Sequence, residues 1–146
     1  MQKSLFCNIL KPKMKNMSKT TEQIPYSLEY IIHASPQMLF NLISTASGLS
    51  EWFCNDVNIK GDIFEFKWDD SNQFAQLIHL RPGKSVKFKW LESPANTYFE
   101  FKIKQDELTK EISLIINDFS EEDETEDSKM LWDNQIENLM HKLGNV

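Results

Sequence analysis

Arginine is almost absent from this chain, with Arg81 the single one among 146 residues. Cysteine (2), glycine (4) and proline (5) are also scarce. Each shortage excludes something. A nucleic-acid surface needs clustered Lys and Arg, whereas here the net charge is −6 and the densest charge run is acidic. Cys7 and Cys54 are too few for a disulfide framework or a thiolate metal site, and no CxxC occurs. So little Gly and Pro argues against long flexible linkers. No apolar run reaches the ~18 residues of a bilayer span. The simplest setting is a reducing, cytoplasmic one, with neither nucleic acid nor a membrane span involved.

What the chain does have is aromatic residues: ten Phe, four Trp and three Tyr, mostly between Trp52 and Trp132. Hydrophobic content of 40% and charged content of 26% are ordinary for a globular protein. The length suits a single domain with one core. Residues 1–19 are basic with a short apolar patch (Leu5, Phe6, Ile9, Leu10) and lack the long apolar core and cleavage site of a secretory signal. They read as a disordered extension ahead of a domain over 20–146, with Met17 a candidate start.

Periodicity sets the element order. Ile24, Tyr26, Leu28, Tyr30 and Ile32 occupy alternate positions, as in a half-buried strand. Ser35-Pro36 is a helix start, with Met38, Leu39, Leu42 and Ile43 as its apolar face. Leu49 to Phe53 reads as a second short helix. Strands follow at Asp56–Lys60, then at Phe64, Phe66 and Trp68, and then over Phe74–Leu80. Three more alternate at Val86, Phe88 and Trp90, at Phe99, Phe101 and Ile103, and at Ile112, Leu114 and Ile116. Turn residues separate them, which favours sequential antiparallel pairing.

The period then changes. Leu131, Trp132, Ile136, Leu139, Met140 and Leu143 recur at helical spacing behind an acidic run. Ser120 with Asp123 forms a capping pattern, and Gly144 is placed to end the helix. About 23 residues of helix would span roughly 35 Å. A sheet with bulky rings on one face must be covered, and this terminal helix has the long apolar stripe to do it. The expected fold is therefore α+β, a helix-grip: a curved antiparallel sheet of about seven strands around a long C-terminal helix, with two short helices after strand 1.

The pattern Trp52, Gly61-Asp62-Ile63-Phe64-Glu65-Phe66-Lys67-Trp68, Arg81-Pro82-Gly83-Lys84-Ser85-Val86-Lys87-Phe88-Lys89-Trp90 and Leu131-Trp132 with Ile136 and Leu139 resembles the START-like (SRPBCC) superfamily. Within it the nearest likeness is to the branch named after the activator of the heat-shock-protein-90 ATPase. The tail from Ile116 to Glu124, followed by Leu131-Trp132, is similar to a START-like group of Bacteroidetes. The likeness covers about residues 20–143 and rests on turns and core aromatics. It implies a cavity between sheet and long helix that in many relatives holds a hydrophobic small molecule, while other relatives are enzymes.

The candidate lining is Trp52, Phe64, Phe66, Trp68, Phe88, Trp90, Phe99, Phe101, Trp132 and Ile136. Any one ring reads most simply as core filling, and the set together as an apolar pocket. His33, His79 and His141 lie far apart with no metal-ligand spacing, so no metal or cofactor is expected. His79 is a surface histidine or, at most, a polar handle beside a buried Trp N–H. Cys54 reads as a small buried residue, the acidic run from Glu121 to Asp127 as a solvated helix start, and Arg81 as part of a hairpin loop. An enzyme would need a perturbed His, Asp or Glu facing inward, and the inward positions are nearly all apolar. The reading is non-enzymatic binding of a small hydrophobic ligand, a lipid or aromatic metabolite. The alternative is a chaperone-associated protein-interaction module with a packed interior, and a protein partner or homodimer remains open in either case.

Overall fold

A computed structural model describes residues 22–144. The expected extension over residues 1–19 lies outside the described residues. Seven antiparallel strands form one sheet in the order β1-β7-β6-β5-β4-β3-β2. Their bounds are β1 Gln23–Ile31, β2 Asp56–Lys60, β3 Ile63–Trp68, β4 Ser71–Arg81, β5 Ser85–Trp90, β6 Phe99–Gln105 and β7 Ile112–Glu121. Helices α1 (Pro36–Ser44) and α2 (Ala46–Trp52) follow β1, and α3 (Thr125–Leu143) ends the chain. Strands β2 to β7 pair in chain order through short turns, and β1 closes the sheet beside β7. This is the expected helix-grip architecture.

The local chemistry explains the helix starts. Ser35 caps α1 by accepting the Met38 amide at 3.1 Å, and Pro36 takes the first helical position. Thr45 both ends α1 and starts α2: its Oγ1 donates to the Asn41 carbonyl at 2.8 Å and accepts from the Gly48 amide at 2.9 Å. Gly48 is required there, because a Cβ would stand 2.1 Å from the Asn41 carbonyl oxygen. The two short helices thus meet at a sharp corner that turns the end of α2 over the sheet. Leu39, Leu42 and Ile43 are buried as expected, but Met38 is exposed, one position off the buried stripe.

Ser120 is not the helix cap that the sequence pattern suggests. The ladder with Ile24 of β1 keeps it in β7, and its hydroxyl shares a hydrogen bond with Thr125 at 2.7 Å. A 3-10 turn over Glu122–Glu124 follows, and α3 runs for 19 residues without a side-chain cap. Pairing with β1 holds the backbone at Ser120 and Glu121 extended, so the helical turns begin only after them. Gly144 ends α3 in the left-handed conformation at φ 73°, as its sequence position predicts.

Helix α3 packs on β7, β1 and α2, while α1 packs on β5 and β6. Between them and the concave face lies one hydrophobic core. On the outer side, the Lys89 ammonium gathers the β5–β6 loop, donating to the Ser93 hydroxyl at 3.0 Å and the carbonyls of Ser93 at 3.2 Å and Pro94 at 2.5 Å. No helix of the described residues is long and apolar enough to cross a membrane.

Candidate ligand site

The ten candidate residues converge. Trp52 closes α2; Phe64, Phe66 and Trp68 come from β3, Phe88 and Trp90 from β5, Phe99 and Phe101 from β6, and Trp132 and Ile136 from α3. All ten are buried in the one core cluster. Opposed residues of an antiparallel pair share a face, and the observed register puts Phe88 opposite Phe99 and Val86 opposite Phe101. Ala75 of β4 stands opposite both Phe64 and Trp90. Its small side chain lets rings of β3 and β5 meet across β4, with Phe64 and Phe88 centroids 5.0 Å apart and Phe66 and Trp90 5.7 Å apart.

At the centre of these rings is Phe53, which the sequence pattern alone does not assign to the site. It follows the last turn of α2 and is fully buried. Its ring stacks near-parallel on Trp132 (6.0 Å, 18°) and on Phe99 (6.1 Å, 25°). Phe66 and Phe101 meet it edge-on at 5.2 and 6.0 Å, each at 81°. Its carbonyl accepts two side-chain hydrogen bonds, from Trp68 Nε1 at 3.2 Å and Gln135 Nε2 at 3.3 Å. Gln135 is itself fully buried on α3 and accepts from the Asn138 amide at 3.2 Å. The only sequence signal is the adjacent pair Trp52-Phe53 at a helix end, where both rings can be internal.

Three of the four indole N–H groups, considered above as handles for a ligand, are engaged within the protein. Trp52 donates to the Leu42 carbonyl at 2.7 Å, Trp68 to Phe53 as described, and Trp132 to Asp118 Oδ2 at 3.0 Å. His79 does not face inward either. It stands exposed opposite Lys87, on the outer side of the sheet. Cys54 is buried, with its thiol 3.3 Å from the Asp56 carbonyl. Arg81 is exposed at the β4–β5 hairpin, where its carbonyl accepts the Lys84 amide at 2.9 Å.

Asp118 corrects the expectation that inward positions are nearly all apolar. It continues the inward row of Leu114 and Ile116 on β7 and is buried. Its carboxylate accepts from Trp132 Nε1, from the Tyr26 hydroxyl at 3.2 Å and from the Phe119 amide at 2.7 Å. Tyr26 of β1 also hydrogen-bonds Ser128 of α3. One knot of side chains therefore ties β1, β7 and α3 together. Burial pushes the Asp118 carboxyl up to about 7 against the pull of its three donors. Burial and the neighbouring carboxylate also raise Tyr26 above the usual phenol range.

The concave face is not closed everywhere. Ile59 of β2 stands opposite buried Phe64, and Leu80 of β4 opposite buried Val86, so both belong to the inner side. Yet Ile59 is 45% and Leu80 40% exposed. A bulge between Leu77 and His79 resets the alternation and keeps Leu80 on the inner side. The apolar surface thus runs out to solvent at the end of the sheet that carries the Gly61-Asp62 and Pro82-Gly83 turns.

Comparison with known proteins agrees with this architecture. A profile described as START-like superfamily domain matches residues 20–145. The chain belongs to the START-like superfamily. Among solved structures it is similar to a Bacteroides fragilis protein, BfR322, at 33% identity over 84% of this chain and 92% of that one, with a TM-score of 0.61. The Aha1 dimer of Colwellia psychrerythraea is 18% identical over 80% of this chain and 93% of that one (TM-score 0.66). ChR145 of Cytophaga hutchinsonii is 11% identical over 87% and 97% (TM-score 0.65). No curated protein matches the chain. In this START-like domain, then, the inner surface has three parts: an aromatic layer around Phe53, a polar knot at Asp118 and an open apolar margin at Ile59 and Leu80.

Proposed function

We propose that this START-like domain binds a small apolar molecule on the concave face of its sheet, without transforming it chemically. The carrying observation is the open margin, where Ile59 and Leu80 continue the buried aromatic surface to solvent. Inward apolar side chains that remain exposed lose burial free energy of about 25 cal/mol per Å², which a guest covering them would recover. The ten aromatic and aliphatic candidates, Trp52 to Ile136, form the floor beneath that margin. Within the superfamily, the 33% identity with the Bacteroides fragilis protein supports the Bacteroidetes-type group. A buried thiol at Cys54, directed at the Asp56 carbonyl, suits the cytoplasm.

The test is a panel of fatty acids, lipids and aromatic metabolites added to the purified protein. A ligand at 100 times its Kd adds about 2.7 kcal/mol and raises the melting temperature by several degrees. Leu80→Asp, which places a charge on the margin without touching the buried rings, should abolish the shift. If no compound in the panel shifts the wild-type midpoint, the reading is lost.

A second reading is supported by Phe53, whose ring fills the middle of the aromatic layer. With the interior packed, the domain would act through its outside as a protein-interaction module, in line with the likeness to the Aha1 branch. Phe74 and Leu91, joined by a 3.0 Å backbone hydrogen bond and both exposed, give that reading an outer apolar spot. Stoichiometric co-purification of a chaperone that is lost on Phe74→Asp would favour it.

A further inference from the structure

We infer that the convex face of the sheet carries a site for a phosphoryl group, held between Arg81 of β4 and Lys102 of β6 over the hydroxyl of Ser85 of β5. The site lies on the side of the sheet away from the proposed apolar ligand and does not depend on that reading. Strand register builds it. Ser85 stands opposite Arg81 on one side and opposite Lys102 on the other. Val86, the next residue, is fully buried in the core, so alternation turns Ser85 and both cations to the convex side. Neighbouring strands are about 4.8 Å apart, so the backbones of Arg81 and Lys102 lie roughly 10 Å from each other. A short residue between two long ones leaves a notch with cationic walls.

Ser85 is only 4% exposed, and its hydroxyl has no hydrogen-bond partner among the described residues. No fully buried side-chain oxygen of those residues goes unpaired, so this hydroxyl must reach the surface, at the bottom of the notch. Arg81 and Lys102 are both exposed and form no ion pair among the described residues, although the chain carries a net charge of −6. Along their row the next carboxylate, Glu29, stands beyond Ile115, two strands from Lys102.

The adjoining row is different. There Ser27 donates to Asn117, and Asn117 Nδ2 donates to Glu100 Oε1 at 3.0 Å. Lys87, opposite Glu100, holds its ammonium 4.4 Å from the Tyr98 ring centre. That row answers its own charges; the row of Ser85 leaves two cations and a hydroxyl for an anion from outside. Arginine offers a planar fork that grips two phosphate oxygens, lysine adds a point charge, and a hydroxyl donates one more bond. A tetrahedral phosphoryl group has oxygens for all three. A carboxylate has only two, both taken by the fork. Inorganic phosphate and the phosphate monoester of a small molecule share this chemistry.

The experiment is an amide NMR titration of the full chain with inorganic phosphate, phenyl phosphate and benzoate, against sodium chloride at matched ionic strength. Both phosphates should give saturating shifts centred on Arg81, Ser85 and Lys102, and benzoate should bind more weakly. Tighter binding of phenyl phosphate assigns a monoester, and equal or tighter binding of inorganic phosphate assigns the free ion; either supports the site. Arg81→Ala and Lys102→Ala should each weaken phosphate about tenfold, and Ser85→Ala about threefold. Lys104→Ala removes an exposed cation two residues further along β6 and should weaken it by about twofold at most. The three lysine and arginine substitutions are at exposed positions, so the fold should survive them. Equal losses in Lys102→Ala and Lys104→Ala would mean diffuse attraction and overturn the site. So would shifts that chloride reproduces, or shifts that never saturate.

Discussion

The indole of Trp132 has two unlike neighbourhoods. Against its face lie Phe53, stacked at 6.0 Å, and Phe101, edge-on at 5.6 Å. At its rim the N–H meets the carboxylate of Asp118, which Tyr26 and Phe119 also serve. The ring side is held by dispersion and apolar burial, which weaken gradually as atoms are removed. The rim side is a polar knot in a medium of low dielectric, where losing one partner leaves the others unsatisfied. The first region is set by shape and burial. The second is sensitive to protons and fixes where α3 sits on β1 and β7.

The largest expected effect comes from removing both regions together. Trp132→Ala takes a fully buried ring out of the core and a donor away from a buried carboxylate. Large-to-small substitution of a buried Trp costs about 3–5 kcal/mol, with the orphaned carboxylate adding to it. Urea unfolding should show the midpoint falling by that measure. A loss below about 1.5 kcal/mol would mean that the two neighbourhoods are not both anchored at this side chain.

The next effect isolates the knot. The Asp118 carboxyl is raised from 3.8 to about 7 in the folded protein. A raised carboxyl binds its proton more tightly when folded, so the stability it contributes is full below pH ~3.8 and is lost as pH rises through about 7. Every tenfold gain in proton affinity on folding corresponds to about 1.4 kcal/mol. Asp118→Asn cannot charge, so relative to wild type it should gain stability between pH 4 and 8 by about 2–4 kcal/mol. Parallel stability profiles for the two proteins over that range would remove the proton from the comparison.

The two neighbourhoods also differ in how far the sequence exposed them. Ring positions on strands follow from alternation: Phe64, Phe66 and Trp68 had to share a side, and Phe88 and Trp90 likewise, so their convergence was readable. Phe53 was not, because it sits one residue beyond a short helix, where neither the strand nor the helix period says which way the side chain points. Asp118 obeys the β7 alternation with Leu114 and Ile116, but an aspartate after Asn117 reads as the end of a strand. Its inward direction becomes visible only with Trp132, Tyr26 and Ser128 around it. The same limit applies to Ile59 and Leu80. Parity puts Ile59 inside, Leu80 returns to the inner side only through the bulge after Leu77, and the exposure of both depends on where the covering helices stop.

The smallest effect is the one that separates the regions most cleanly. Trp132→Phe keeps a flat ring against Phe53 and Phe101 but removes the indole N–H. The aromatic layer loses part of one ring, and the knot loses one of three donors to the Asp118 carboxylate. That donor favours the charged form, so its removal should push the Asp118 carboxyl above 7. The stability loss of about 1–3 kcal/mol should be concentrated above pH 7, where the carboxylate is ionised, and should shrink toward pH 5, where it is protonated. A ring-packing role alone would give the same loss at both pH values. A pH-independent deficit in Trp132→Phe would therefore show that the stack, and not the hydrogen bond, is what holds α3 to the sheet.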